Sequence, residues 1–576
     1  DVLKEMGNAI AQEASALAVD IVLGPGLNIK KSGFNGRNFE YVSEDPFLTG
    51  HLGASFIKAM EKEGIMSCPK HFALNNYETR RMSTNVVVDQ RALREIYLKG
   101  FEIAIKEGKP SAIMTSYNRV NGTYATEHPQ LLQDILRKEW KYKGLIMSDW
   151  GATNNRLEAL RASMDLEMPG PNKEHERILL EALENGSLSE DVLDESIQRV
   201  IETLQKKSKK TKTVNYKEHH ELAKKIAGES IVLLKNKDEI LPLRKTAKLA
   251  VIGEFAEIGP VQGAGSSLVA PTITSNLLES LEALGARFRY KQGFVTESAQ
   301  VNPILEEEAL SLAMEEDYII YCMGLDRLGD SEGADRESFE IPKNQLSLLK
   351  RLSQLEKPII VILSGGTSVA INWDRSVDAM LYVGLYGQNG ASAVADILFG
   401  SINPSGKLSS TFLQKQSDDV FYQKVDIQKE NVLYKDSIFV GYRYYETIGK
   451  EVAYPFGHGL SYTEFLYHPI SCSNFNIEEN ETVEISFTLE NTGTRAGKEV
   501  VELYVEDIVH LEMRPIMELK GFEKIYLRKG ASKEVQFVLD KSSFSYYCSE
   551  CHKWVVPSGF YKIHIGSSVR DIRQTA

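Results

Sequence analysis

The stretch Ile135-Leu-Arg-Lys-Glu-Trp-Lys-Tyr-Lys-Gly-Leu-Ile-Met-Ser-Asp149-Trp-Gly151 decides the fold. A helical segment runs into a short apolar strand at 144–148, which stops on a carboxylate with a glycine turn beyond it. Proteins built of alternating strands and helices keep their chemistry at the C-terminal ends of the strands, so Asp149 reads as a functional acid.

Outward from this point the same alternation recurs. Strands are expected at 20–24, 65–70, 111–117, 144–148 and 163–168. A helix is expected at 91–107, with Leu93, Ile96, Tyr97, Phe101, Ala104 and Ile105 on one face. This is βα repetition, hence a parallel sheet or barrel. A closed barrel of this kind needs eight strands and five are visible, so the expectation is an incomplete (β/α) barrel whose first βα units precede the sequence. A lysine-rich stretch at 206–212 reads as a solvated linker, because no aromatic residue is interleaved. Buried strands then follow at 230–235, 248–253, 317–325, 358–364 and 379–387, with helices at 345–355 and 391–399, which predicts an α/β layered sandwich. From about 468 the period falls to two: Val483, Ile485, Phe487 and Leu489 alternate, as do Val501, Leu503 and Val505, and Val535, Phe537 and Leu539. That pattern predicts a β-sandwich of immunoglobulin or fibronectin type III kind. The expected organisation is a multidomain α/β protein: barrel domain 1–205, linker 206–216, α/β sandwich 217–415, a connector 416–467 wrapping over the other domains, and a fibronectin type III-like β-sandwich 468–576.

The length of 576 residues suits about three cores. The 67 basic and 80 acidic residues are mixed without long single-sign blocks, which argues against nucleic acid and anionic membranes and for a neutral substrate. No apolar run approaches the roughly 18 residues of a transmembrane helix. Five cysteines are few for this length and favour reduced thiols and a cytoplasmic setting. Cys548-Ser-Glu-Cys551-His552 matches a haem-attachment pattern, but it sits in a β-rich tail with no other haem feature, and reads as two ordinary cysteines near a turn. His219-His220 is an adjacent pair on a helix, so its members point apart, and no metal site is expected. Gly263-Ala-Gly265 follows a strand, but no Gly-Lys-Ser/Thr accompanies it, so a nucleotide site is not expected either.

The polar clusters of the first domain fall at successive strand ends: Gly36-Arg37-Asn38-Phe39-Glu40, Lys70-His71-Phe72, Tyr117-Asn118 and Ser148-Asp149-Trp150-Gly151. Convergence of Arg37, Lys70, His71, Arg81, Tyr117 and Asp149 would form a cationic cup around one carboxylate, with Trp150 as an apolar wall. Nearby cations are expected to lower the pKa of Asp149 and keep it a standing anion. Each residue also has a plainer reading. Asp149 could cap the helix beginning near Asn154, Arg37 and Lys70 could form surface ion pairs, His71 could be a satisfied core histidine, and an acid at 332 could simply pair with Arg336.

Several of these segments resemble glycoside hydrolase family 3, in its β-glucosidase branch. They are Gly36-Arg-Asn-Phe-Glu-Tyr-Val-Ser-Glu-Asp-Pro46, Lys70-His-Phe-Ala-Leu-Asn-Asn-Tyr-Glu-Thr-Arg-Arg81, Met114-Thr-Ser-Tyr-Asn-Arg-Val-Asn-Gly122 and the Asp149 segment. The resemblance continues through Gly263-Ala-Gly-Ser-Ser267, Ser331-Glu-Gly-Ala-Asp-Arg336, Tyr454-Pro-Phe-Gly-His-Gly-Leu-Ser-Tyr462 and Glu518-Leu-Lys-Gly-Phe522. It implies retaining, exo-acting hydrolysis of β-glucosides or oligosaccharides without a cofactor, with Asp149 as nucleophile and Glu332 as acid/base. Such a mechanism brings two carboxyls about 5 to 5.5 Å apart, which implies a site between domains. The resemblance further implies that Arg37, Lys70, His71, Arg81 and Tyr117 bind sugar hydroxyls, that Met114 and Trp150 line the sugar, and that Ser266 or Ser267 joins from the second domain. Tyr117 is also placed beside the nucleophile, where its phenol can hydrogen-bond the carboxylate. Family members carry an upstream Asp-Gly-Pro segment whose aspartate clamps outer hydroxyls; it is absent here, and a chain lacking it is expected to turn over poorly. The alternatives are a β-xylosidase or N-acetyl-glucosaminidase of the same family, or a catalytically impaired carbohydrate-binding protein. A homodimer is the assembly considered.

Overall fold

The computed structural model describes residues 2–207, 213–421, 430–478, 480–509 and 512–576, without the side chain of residue 327. The central residues of the expected linker at 206–216, and 422–429 of the expected connector, lie outside the described residues. The chain forms two compact units, Asp1–Asn215 with Val420–Ile438, and Tyr216–Asp419 with Phe439–Ala576.

In the first unit the predicted strands line up in sequence order, all parallel. Ile21–Val22 pairs with Met66–Ser67, Gly26 bridges to Lys70, Phe72 to Thr115, Ala112–Met114 pairs with Leu145–Met147, and Met147 bridges to Leu166. The regular strands are two or three residues long, shorter than the apolar runs. One face of this array is a continuous apolar layer of Cys68, Ala112, Met114, Leu145 and Met147, joined by Ile21, Leu23 and Leu166. On the helix side the ring of Phe72 packs edge-on against Phe101 at 5.2 Å and Trp140 at 5.9 Å. Full burial of a ring of this size contributes about 2 kcal/mol.

The helices are fixed locally. Asp45 caps Pro46–Lys62 by accepting from the Leu48 N–H, and Pro46 takes the first helical position, where no backbone donor is needed. That helix packs closely on Lys99–Ile103: a Cβ on Gly50 would lie 2.6 Å from the Cβ of Ile103, so a larger residue there forces the pair apart. The helix expected at 91–107 is not uniform; Leu93–Tyr97 and Ala104–Gly108 are π-helical turns flanking Lys99–Ile103. Wider turns rotate the later apolar residues, and Leu93, Ile96, Tyr97, Phe101, Ala104 and Ile105 are all buried.

The connector expected at 416–467 divides. Its described part within Val420–Ile438 belongs to the first unit, where Asn431–Leu433 pairs parallel with Asn85–Val87. Lys31 secures it: its ammonium forms a buried ion pair with Asp436 and lies 4.5 Å from the Tyr434 ring centroid and 5.1 Å from that of Phe421.

The second unit opens with a six-stranded sheet in the order Arg287–Lys291, Lys248–Ile252, Tyr318–Gly324, Ile359–Ser364, Ala379–Gly384 and Val232–Asn236. All neighbours are parallel except the last pair. The edge strand Arg287–Lys291 was not expected from sequence. The β-sandwich follows, with Phe465–Tyr467, Val483–Asn491, Ser471–Cys472 and Ser532–Leu539 in one sheet and Glu518–Leu527, Gly497–Asp507, Tyr561–Ser568 and Asp571–Thr575 in the other. Its core is Ile485, Phe487, Leu489, Val501, Leu503, Val535 and Ile565. The helix Tyr442–Thr447 lies on the outer face of the second sheet, where the Tyr442 hydroxyl accepts from the Leu519 N–H at 2.9 Å.

Candidate active site

Asp149 lies two residues past the C-terminal end of the strand Leu145–Met147 and is buried. Its Oδ1 accepts from the Tyr117 hydroxyl at 2.8 Å and from the Trp150 N–H at 2.7 Å. Its Oδ2 accepts no hydrogen bond from the described residues, and His71 Nε2 stands 3.6 Å away. Asp149 is not a helix cap, since Asn155 caps Arg156–Arg161 through the Glu158 N–H. The neighbouring buried acid Asp165 is consumed structurally, by Arg137 at 2.7 Å, Arg199 at 2.7 Å and the Ile146 N–H at 2.8 Å.

The cations around Asp149 are each partnered. Arg37, 1% exposed, pairs through Nε with Glu40, and Lys70 Nζ lies 3.7 Å from the other oxygen of Glu40. Arg81 pairs with Glu78 and stacks over the Tyr117 ring at 4.2 Å. His71 is neutral: burial, reinforced by Arg37, Lys70 and Arg81, holds it well below the ordinary histidine range. Asn28 holds the backbone of His71 from both sides, at 2.8 and 3.0 Å. The Tyr41 hydroxyl is 3.2 Å from both the Asn75 carbonyl and His71 Nδ1. Tyr41 thus holds one ring nitrogen of His71, and Nε2 is left facing Asp149.

The expected lowering of the Asp149 pKa is therefore corrected. Burial raises it above the ordinary carboxylate value, and the Tyr117 and Trp150 hydrogen bonds and the charges of Arg37 and Lys70 offset this only in part. Counterions on Arg37, Lys70 and Arg81 dilute the positive field that a count of cations implies. Met114 is buried in the apolar layer beneath, while Trp150 is 42% exposed.

Three residues that sequence reasoning passed over, Glu40, Glu78 and Tyr41, orient this cluster. Glu40 and Glu78 lie three positions from Arg37 and Arg81, a spacing that signals ion pairing within a turn of helix.

In the second unit Glu332 sits on a loop held by a parallel bridge between Ala264 and Ser331. Its Oε2 accepts from the Ser266 N–H at 2.9 Å, so Ser266 reaches Glu332 through the backbone; Ser266 and Ser267 are exposed. Arg336 forms its ion pair with Asp330 at 2.7 Å, both side chains almost fully buried. Asp330 also accepts from the Gly366 N–H at 2.9 Å, which ties the loop to the sheet. Gly265 has φ +93, and a Cβ there would lie 2.5 Å from that of Glu332.

Three family models match: the glycosyl hydrolase family 3 N terminal domain over residues 1–203, the glycosyl hydrolase family 3 C-terminal domain over 231–462, and a fibronectin type III-like domain over 499–569. Among curated relatives, the thermostable beta-glucosidase B of Acetivibrio thermocellus is 41% identical, over 99% of this chain and 77% of that protein. An exo-alpha-(1->6)-L-arabinopyranosidase of Bifidobacterium breve is 37% identical, over 100% of this chain and 77% of that protein. Among solved structures, a Bifidobacterium adolescentis GH3 beta-glucosidase superposes with a TM-score of 0.97 at 38% identity, over 100% of this chain and 85% of that one. The chain belongs to glycosyl hydrolase family 3 and is a glycoside hydrolase.

Gly265→Ala is expected to displace the Glu332 loop and lower kcat by about tenfold or more, because the added methyl meets Glu332 on an unfavourable backbone conformation. Steady-state kinetics beside an unchanged melting temperature measure this.

Proposed function

We propose that this protein is a retaining exo-β-glucosidase that releases terminal β-D-glucose through a glucosyl-aspartate intermediate on Asp149, with Glu332 as acid and then base. The observation that carries the reading is the asymmetric carboxylate of Asp149. One oxygen is fixed by Tyr117 and the Trp150 N–H, while the other accepts no hydrogen bond from the described residues. An oxygen so presented is a nucleophile set for attack at an anomeric carbon. His71 Nε2, 3.6 Å from Asp149 Oδ2, is placed to bind a hydroxyl of a sugar held over the carboxylate. Arg37, Lys70 and Arg81 bind further hydroxyls, Met114 and Trp150 line the sugar, and Ser266 positions Glu332 or contacts sugar, with Ser267 beside it. Two carboxylates complete the reaction without a cofactor.

Nitrophenyl β-glucoside, β-xyloside, N-acetyl-β-glucosaminide and α-L-arabinopyranoside, assayed side by side, test the substrate. The glucoside is expected to lead in kcat/KM by about tenfold or more, since a site shaped to hold a hydroxymethyl group loses those contacts with a pentose. A leading xyloside, glucosaminide or arabinopyranoside overturns the glucoside assignment.

Tyr117→Phe removes one of two hydrogen bonds to the charged nucleophile. A loss of about 1.5 to 3 kcal/mol, roughly ten- to hundredfold in kcat/KM, is expected. The phenol favours the ionised carboxylate, so its removal raises the Asp149 pKa further and moves the acid limb of the pH profile to higher pH.

A further inference from the structure

The antiparallel hairpin of Tyr546–Cys548 and Lys553–Val555 takes no part in the site above. Its strands are clamped by an edge-on Tyr547–Trp554 ring pair at 5.7 Å, and its loop closes through His552 at φ +51. Cys548 and Cys551 thus stand three positions apart across a tight turn. Turns of this kind bring the flanking Cα atoms within about 7 Å, and disulfides span roughly 4.4 to 6.8 Å. The Cys551 N–H donates to Cys548 Sγ at 3.2 Å. Cys551 is exposed and Cys548 half-buried, whereas Cys68 and Cys322 are buried in the cores. Among the described residues no cluster of three or more His, Cys, Asp or Glu could hold a metal ion, so the pair lacks the ligand number of a structural zinc site.

We propose that Cys548 and Cys551 form a reversible dithiol/disulfide couple that exchanges with low-molecular-weight disulfides, Cys548 attacking first. The Cys548 thiolate bonds to one sulfur of the small disulfide, whose S–S bond breaks and releases one thiolate. Cys551 gives its proton to water, attacks Cys548 Sγ and expels the second small thiolate. Two protein thiols are oxidised and one small disulfide is reduced to two thiols. The Cys551 N–H, 3.2 Å from Cys548 Sγ, favours a thiolate on Cys548 and sets the order of attack; in keeping with this, the neighbouring Cys551 thiol holds the Cys548 thiol below the ordinary range, while Cys548 raises that of Cys551.

The test equilibrates the folded full chain in glutathione buffers of graded reduced-to-oxidised ratio, quenches with acid, alkylates, and maps the tryptic peptide 542–553, which holds both cysteines. The expected result is an unalkylated peptide lacking two hydrogens whose share tracks the ratio and reverses on reduction. Cys551→Ser should accumulate a glutathione mixed disulfide on Cys548, and Cys548→Ser should acquire one on Cys551 several-fold more slowly. Thiols that stay reduced at the most oxidising ratio, oxidation only to mixed or intermolecular disulfides, or equal rates for the two single variants would overturn the proposal.

Discussion

Asp149→Gly is expected to lower kcat for aryl β-glucosides by on the order of 10⁴-fold or more, the scale on which removing a covalent nucleophile acts. The surroundings provide no substitute. Glu40 is engaged by Arg37 and Lys70, Glu78 by Arg81, and Asp165 by two arginines and a backbone N–H. A small anion such as azide can enter where the carboxylate stood, because the cations remain. Azide should restore turnover and give the α-glucosyl azide, since attack comes from the face the carboxylate used. The anomeric configuration read by NMR checks this. Residual hydrolysis within tenfold of the parent, or a β-azide product, contradicts the assignment. The non-catalytic alternative predicts no change in Asp149→Asn, whereas the enzyme reading predicts lost hydrolysis with glucose binding retained by calorimetry.

Glu332→Ala is expected to cost about 10² to 10⁴ in kcat/KM on substrates whose leaving group needs a proton. On a dinitrophenyl glucoside, which needs none, glucosylation should persist and the intermediate accumulate, visible as a burst of released phenol. Azide then attacks the glucosyl-enzyme and should yield the β-glucosyl azide, the opposite product to that from the nucleophile variant. Equal losses on both leaving groups, or no azide effect, would remove Glu332 from the acid/base role. The Ser266 N–H and the Asp330–Arg336 pair bear on this variant only through loop geometry.

The parts of the fold legible from sequence are those where burial imposes a pattern. The five parallel strands of the first unit, the central strands of the layered sheet and the alternating sandwich strands all carry apolar residues where a core demands them. Arg287–Lys291 was missed because it is an edge strand with only two apolar residues, Phe288 and Tyr290, alternating with three basic ones, and it lacks the continuous apolar run that marked the central strands. Asn431–Leu433 is too short to register, and its place beside Asn85–Val87 depends on contacts remote in sequence, including the Lys31–Asp436 pair. At the site, residue types at strand ends pointed to the cluster around Asp149, but counting cations misjudged its electrostatics. Burial, and the counterions Glu40 and Glu78, are properties of the folded chain. The same holds for Arg336, whose near neighbour in sequence is Glu332 but whose partner in space is Asp330.

Trapping with 2-deoxy-2-fluoro-β-glucosyl fluoride, followed by peptide mass mapping, tests the proposed nucleophile most directly. The fluorine at C2 slows both formation and hydrolysis of the glucosyl-enzyme, and the good fluoride leaving group at C1 restores only formation, so the covalent species accumulates. The label should lie on the tryptic peptide 144–156, at Asp149, with activity lost in proportion. A label on any other peptide, or stoichiometric inactivation without a label at Asp149, would contradict it.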